Sequence, residues 1–488
     1  MEASTEGPAA LGDMDPETFH RSAIGIADWI RHYLNAPEEH PVLARVAPGE
    51  VTAALPMAAP ERGEPMSRIL DDFQRILVPA LTHWNHPGFL AYFATSGSGP
   101  GVLAEFLTAA LNQQAMLWRT SPAATELEEV TLGWLRRLLG LPGSFEGVLY
   151  DGGSASNLHA LMAAREAAVP QIRARGLAHR AELPPLRVYC SEQAHSSIDK
   201  AVIVLGMGHQ ALRKIPVDDE YRLRPDLLKT AMAEDRAAGY LPVAVVATVG
   251  TTGTGSVDPV DVIADICQTM GVWLHVDASY AGPAAMVQEH AWIFEGVSEA
   301  DSLVVNPHKW LFTPLDISAF YTRHMDVLRR ALALTPEYLE TSDVDSVRNL
   351  MDTGISLGRR FRALKLWMVL RYFGAQGIRA RLTEHLRLAR LFTAWVDGDS
   401  DFERLAPTTL SVVCFRAAPA GVHPDRLEHL NAAILDRVNA SGEVFLSHTR
   451  LRGRFSLRLA IGQIRTTEVH ITRAWKLLRD SLRAARSD

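Results

Sequence analysis

The chain has 488 residues, long enough for a sizeable core and for about three domains. Its 49 basic and 56 acidic residues leave a formal net charge of -7 with no clustered basic stretch, which argues against nucleic acid or an anionic membrane as the main partner and favours a small-molecule substrate. The three cysteines, Cys190, Cys267 and Cys414, lack the paired spacing of a zinc site or a disulfide framework and read as reduced and mostly buried.

The first fifteen residues are acidic and rich in small side chains, without the basic and then apolar regions of a signal peptide. The longest uncharged stretches, around 77–104 and 237–257, are broken by Pro, Gly, Asn or Thr and fall short of a membrane span, so a cytoplasmic protein is expected. Over 16–34, Phe19, Ile24, Ile26, Ile30 and Leu34 recur at roughly helical spacing, and a Pro-rich connection leads to a second helical stretch over 66–81. Such an arm buries little against itself. Residues 1–100 are therefore expected to pack on another subunit, which makes a homodimer the expectation. From about 101 to 371, helical patterns alternate with short β-branched runs at 148–150, 186–190, 243–249, 272–276 and 302–305, the mark of a mostly parallel α/β sheet. Residues 372–488 read as helix, strands at 411–415 and 454–460, and helix, a small α+β carboxy-terminal domain.

Polar motifs follow several of these runs, where open parallel sheets gather their ligands. Asp151-Gly152-Gly153-Ser154-Ala155-Ser156-Asn157 lies between a strand and a helical run, a place where glycines and helix amino-terminal N–H groups can cradle a phosphate; a capped helix after a tight turn is the plainer alternative. His195 follows the next strand and could stack on a planar cofactor or serve as a hydrogen-bonded loop residue. Thr248 closes another strand, at a cofactor or as a strand-end cap. Asp277, after largely apolar strand residues, needs a partner, whether a cofactor or a structural cation. Lys309, in Asn306-Pro307-His308-Lys309-Trp310, precedes Leu311-Phe312 and suits a desolvated site where a lowered pKa favours an imine, although a snorkelling surface lysine would read the same way. A carboxylate to hold a pyridine nitrogen protonated and a lysine to bind an aldehyde together suggest pyridoxal phosphate.

The chain resembles the group II pyridoxal-phosphate-dependent decarboxylases, most of all the aromatic-L-amino-acid decarboxylases. The resemblance rests on His86-Pro87-Gly88-Phe89-Leu90-Ala91-Tyr92-Phe93, Ser121-Pro122-Ala123-Ala124-Thr125-Glu126-Leu127-Glu128, Gln193-Ala194-His195-Ser196-Ser197, His275-Val276-Asp277-Ala278, Asn306-Pro307-His308-Lys309-Trp310 and Leu357-Gly358-Arg359-Arg360-Phe361-Arg362-Ala363-Leu364-Lys365. It implies a fold type I homodimer with its site at the subunit interface. It further implies that Lys309 carries the cofactor, Asp277 pairs with the pyridine nitrogen, and His195 stacks on the ring and approaches the substrate carboxylate. Ala155, Ser156 and Asn306 would hold the phosphate, with Thr248 and His308 also at the cofactor and Thr95 near the substrate. Trp84, Phe89, Tyr92, Phe93 and Trp118 crowd the segments where this family contacts the substrate side chain, which implies an aromatic amino acid. Gln114 and Met116 depart from the residues usual in animal dopa decarboxylases.

A second departure concerns a loop that in this family carries a tyrosine able to protonate Cα. Over 339–360 the sequence is LETSDVDSVRNLMDTGISLGRR, without tyrosine, and matching backwards from Gly358 places Leu350 at that position. Family members with phenylalanine there act as aldehyde synthases. The expected reaction is decarboxylation of an aromatic L-amino acid to the arylalkylamine and CO2, with an aldehyde synthase that couples decarboxylation to oxygen-dependent oxidative deamination as the alternative.

Overall fold

The structure, a computed structural model, describes residues 12–334 and 347–487; the part of the tyrosine-free stretch before residue 347 lies outside the described residues. Seven strands form the main sheet: β1 (Glu146–Tyr150), β2 (Leu186–Ser191), β3 (Leu212–Ile215), β4 (Leu241–Thr248), β5 (Trp273–Asp277), β6 (Ser302–Val305) and β7 (Ser318–Thr322). Their order is β1-β7-β6-β5-β4-β2-β3, and only β7 runs against the rest. The central strands are buried almost throughout and largely apolar because helices cover both faces of the sheet.

Alternate residues of one strand enter opposite cores, as the two-residue repeat of a strand requires. Val148, Val188 and Val246 pack with the helices Gly153–Ala168, Ser197–Val204 and Met325–Leu332. Leu149, Tyr189 and Val245 pack on the other side with Pro122–Leu138, Pro225–Ala237 and Val260–Met270. All five strands expected in this region are present, that at 302–305 with the expected bounds and the other four with shifted ends. The strands β3 and β7 were not expected: Leu212-Arg213-Lys214-Ile215 and Ser318-Ala319-Phe320-Tyr321-Thr322 are too short and mixed to read as buried runs.

The helix Ala363–Gly398 leaves this body and breaks at Gly374, whose φ of 62° lies in the left-handed region. Beyond it lies a small antiparallel sheet of β8 (Phe402–Arg404), β9 (Val412–Ala417), β10 (Ser447–Leu451) and β11 (Arg454–Ala460), in the order β10-β11-β9-β8. The helix Pro16–Asn35 is capped by the Asp15 carboxylate, which accepts from Glu17 N and Thr18 N, and it buries none of its residues in this chain. The segment near residue 90 instead joins the small sheet: Leu90 N donates to Phe445 O at 3.0 Å, and Ala460 N to Leu90 O at 2.9 Å. Leu90 is part of that sheet's core.

All three cysteines are buried and unpaired. Among the described residues no helix is long and apolar enough to cross a membrane, and no cluster of metal-ligating side chains occurs.

Candidate active site

The parallel strands bring their carboxyl ends to one edge of the sheet, and the register sets Thr248 opposite Asp277 and Asp277 opposite Val304, two residues before Asn306. A cavity of about 500 Å³ opens there. Its walls include Thr248, Asp277, Asn306, His308, Lys309, His195 and Ala155, so seven of the residues singled out from sequence, far apart in the chain, share one space.

Asp277 sits at the end of a directed hydrogen-bond chain. Trp273 Nε1 donates to Ser302 Oγ at 2.9 Å, which leaves the Ser302 hydroxyl to donate to His275 Nδ1 at 2.9 Å. His275 then carries its proton on Nε2 and donates to Asn157 Oδ1 at 2.9 Å, and Asn157 Nδ2 donates to Asp277 Oδ2 at 2.9 Å. Ser279 N donates to the other carboxylate oxygen at 3.0 Å. Burial pushes the Asp277 carboxyl up, but the hydrogen bonds from Ser279 and Asn157, aided by His275 and Lys309, outweigh it and hold the group below its ordinary value. An ionised carboxylate there can take the N–H of a heterocycle. Burial pulls His275 down to about 4, so this relay stays neutral.

Asn157 also donates to Ser197 Oγ at 2.8 Å, and the Ser197 hydroxyl and backbone N–H both point at His195 Nδ1, at 2.9 and 3.1 Å. With Nδ1 thus an acceptor, neutral His195 carries its proton on Nε2. Burial holds His195 below its ordinary value, with Lys309 adding to the effect and Asp277 opposing it. For Lys309, burial is the largest influence and lowers its pKa; Asp277 opposes and Arg458 adds to the lowering. A lysine made less basic is a better nucleophile toward an aldehyde.

The helix Gly153–Ala168 points its amino-terminus at the cavity, where Gly152, Gly153, Ser154 and Ala155 line the wall. A Cβ at Gly153 would stand 2.8 Å from both Asn306 Nδ2 and Ser279 Oγ, so only glycine leaves this cradle open. Ser279 Oγ is buried without a partner. Unpaired helix N–H groups, an orphaned hydroxyl and an amide around a cradle fit the phosphate of the cofactor. Ser156 is a correction. Its hydroxyl faces inward and bonds Ser318 Oγ at 2.7 Å, and Ser318 donates to Asn306 Oδ1 at 2.7 Å. Ser156 therefore orients the Asn306 amide rather than touching the cavity.

The aromatic expectations divide. Phe93 lines the cavity and stacks on Tyr280 with centroids 3.6 Å apart, and Tyr280 stacks in turn on Trp310 at 4.8 Å. Trp84, Tyr92 and Thr95 do not line it in this chain. Trp84 and Tyr92, 39% and 54% exposed, form a separate cluster with Phe89 and Phe445, because the backbone turns through a positive φ at Tyr92 and sends neighbouring side chains opposite ways. Gln114 and Met116 instead bind the segment that holds Leu350: Gln114 Oε1 accepts from Arg359 N and Met116 O from Met351 N. Trp118 N donates to Asn349 Oδ1 in the same contact. Leu350 is fully buried and lies away from the cavity lining.

Sequence reading missed Asn157 as a cofactor-side residue, and with it Ser279 and Arg458. Arg458 is buried with no carboxylate partner among the described residues, its guanidinium 4.7 Å from the Phe93 ring and one nitrogen unbonded there. Only a residue inside a strand that reads as core, flanked by Leu457 and Leu459, marks it in the sequence.

The family model for the pyridoxal-dependent decarboxylase conserved domain matches residues 48–418. Tyrosine decarboxylase 2 of Arabidopsis thaliana is 40% identical over 95% of this chain and 86% of that protein. A phenylacetaldehyde synthase of the same plant is 38% identical over 96% of this chain and 97% of that protein. A crystal structure of Oryza sativa TDC with PLP and tryptamine superposes with a TM-score of 0.93 at 34% identity, covering 97% of this chain and 99% of that one. A type I fold, a cradle for phosphate beside a desolvated lysine, and these matches lead to one conclusion: the chain belongs to the group II pyridoxal-phosphate-dependent decarboxylases, among relatives that act on aromatic amino acids by name, and pyridoxal 5'-phosphate is its cofactor.

Proposed function

We propose that the protein decarboxylates an aromatic L-amino acid to the arylalkylamine and CO2, acting as a cytoplasmic homodimer. The observation that carries this reading is the opening of Lys309 and Asp277 onto one cavity walled by Phe93 and Tyr280. Bound at Lys309, pyridoxal phosphate supplies a conjugated ring able to accept the electron pair left when the bond from Cα to the carboxylate breaks. Ionised Asp277 would keep the ring nitrogen protonated. Gly153, Ser154 and Ala155 at the helix amino-terminus, with Asn306, would hold the phosphate, and Thr248 and His308, which line the same cavity, would flank the cofactor. Neutral His195 presents its Nε2–H to the substrate, where it would bind and steer the carboxylate. Phe93 and His195 are the substrate contacts retained. Orientation selects the reaction, so the residues that would fix the substrate carboxylate decide which bond at Cα is broken.

A second reading has one observation in its favour, the lack of a tyrosine over 339–360, together with a relative named for aldehyde synthesis. A positioned acid is worth about 10²–10⁴ in rate, so slow reprotonation would give oxygen time to react. The balanced outcome is amino acid, O2 and water giving aldehyde, CO2, ammonia and hydrogen peroxide. Incubation with tryptophan, tyrosine, phenylalanine and dihydroxyphenylalanine, with oxygen uptake followed, separates the two readings. Amine and CO2 without oxygen uptake are expected; aldehyde and peroxide in equal amounts would replace the first reading with the second. Lys309→Ala should lose the visible absorption of bound cofactor, and an unchanged band would refute Lys309 as its attachment point.

A further inference from the structure

β1 is an edge strand, and its outer side is closed by side chains rather than by another strand. Arg348 Nη2 donates to Gly147 O at 2.7 Å, Arg359 Nη2 to Leu149 O at 2.8 Å, and Leu149 N to Glu128 Oε1 at 2.8 Å. The last residue of β1, Tyr150, continues this contact. Its ring stacks on His159 with centroids 4.1 Å apart and planes 13° from parallel, both side chains are buried, and its hydroxyl donates to Thr353 O.

His159 supplies the second bond. Its Nδ1 lies 2.7 Å from Ala155 O, a group that only accepts, so the ring proton sits on Nδ1 and Nε2 is left to accept from Ile355 N at 3.3 Å. The pair thus takes the carbonyl of Thr353 and the N–H of Ile355, on either side of Gly354, where an added Cβ would stand 3.3 Å from the Tyr150 ring. Ala155, whose carbonyl fixes the His159 tautomer, is also in the first turn of the helix that lines the cavity.

We propose that Tyr150 and His159 are positioning residues: a latch that fixes residues 353–355 to the amino-terminal turn of the helix Gly153–Ala168 and couples occupation of the phosphate seat to the placement of that segment. The inference rests on the proposed phosphate seat at that helix amino-terminus. Coupling of this kind is reciprocal, so whatever factor the cofactor adds to the protection of the segment, the segment adds to the affinity for the cofactor.

Hydrogen exchange of the peptide spanning 347–358, in apoenzyme and holoenzyme, tests it with Tyr150→Phe, which removes one hydrogen bond, and His159→Phe, which removes the bonds to Ala155 O and Ile355 N; each keeps a ring to stack. In the apoenzyme each variant should exchange the Ile355 amide about 10-fold faster than wild type, the loss expected for one buried hydrogen bond. Pyridoxal phosphate should slow exchange there in wild type and fail to do so in the variants, whose cofactor dissociation constants should rise by the factor of protection lost. Wild-type rates in both apo variants, or equal protection by cofactor in wild type and variants, would overturn the latch. A wild-type protein without a cofactor absorption band would overturn the proposed function and the coupling with it, while wild-type exchange in the apo variants would overturn the fastening of 353–355 independently.

Discussion

At Gly153 a single methyl group separates an open anion seat from a filled one. Gly153→Ala should raise the cofactor dissociation constant by roughly 10-fold or more, because overpacking a tight site typically costs about 1–3 kcal/mol and Asn306 and Ser279 are the atoms that must give way. Titration of apoenzyme with pyridoxal phosphate measures it; an unchanged constant would put the phosphate elsewhere. Asp277→Asn should keep the cofactor yet slow turnover by about 10²-fold or more, since the carboxamide cannot balance a protonated ring nitrogen. Absorbance and steady-state rates together check this, and a wild-type rate would remove Asp277 from the reaction. At this scale the sequence was informative where chemistry was local. Asp277 ends β5, and His195 and Lys309 follow closely on β2 and β6, each in a conspicuous run. Asn157 lies 120 residues from the carboxylate it bonds, and Ser318 lies 162 from Ser156, so neither partnership leaves a mark in any window of the chain.

At the scale of elements, Asp258 ties the end of β4 to the turn that precedes the helix Pro225–Ala237, accepting from Thr248 N at 2.8 Å and Leu223 N at 2.7 Å. Burial pushes its carboxyl up to about 6 despite those bonds. A carboxyl with a native value above its unfolded value stabilises the fold fully below the unfolded value, near 3.8, and that contribution is lost as pH rises through 6. The slope of unfolding stability between pH 4 and 6 should therefore flatten in Asp258→Asn, as read from denaturant midpoints; an identical slope would mean that another group sets it. The strands legible in advance were those buried on both faces, where continuous apolar residues leave little choice. Of those that escaped notice, β3 carries Arg213 and Lys214 between its apolar ends, and β7, although buried throughout, begins and ends on Ser318 and Thr322. The segment around Leu350 showed only that a phenol was missing. Its close fit against Tyr150, Met116 and Trp118 depends on contacts more than 200 residues apart in the chain.

For the whole molecule, the helix Gly99–Leu111 exposes Leu103, Phe106, Leu107 and Leu111, and the helix Pro16–Asn35 exposes Phe19, Ile24 and Ile26. Apolar surface on this scale is costly in water and suits the proposed second copy. Phe106→Glu combined with Leu107→Glu should shift sedimentation from dimer to monomer and abolish turnover with the circular dichroism unchanged; a wild-type sedimentation coefficient would place the interface elsewhere. The return of residues near Leu90 into the core of the carboxy-terminal sheet was not legible, because it pairs backbone with backbone and needs no distinctive side chain. The closure of β1 by Arg348, Arg359 and Glu128 bears on more than the placement of a loop. A sheet margin with free carbonyls is a template for strand addition by a foreign chain. These three side chains occupy it without adding a strand, so the same contacts that seat the segment also guard the protein against edge-to-edge aggregation.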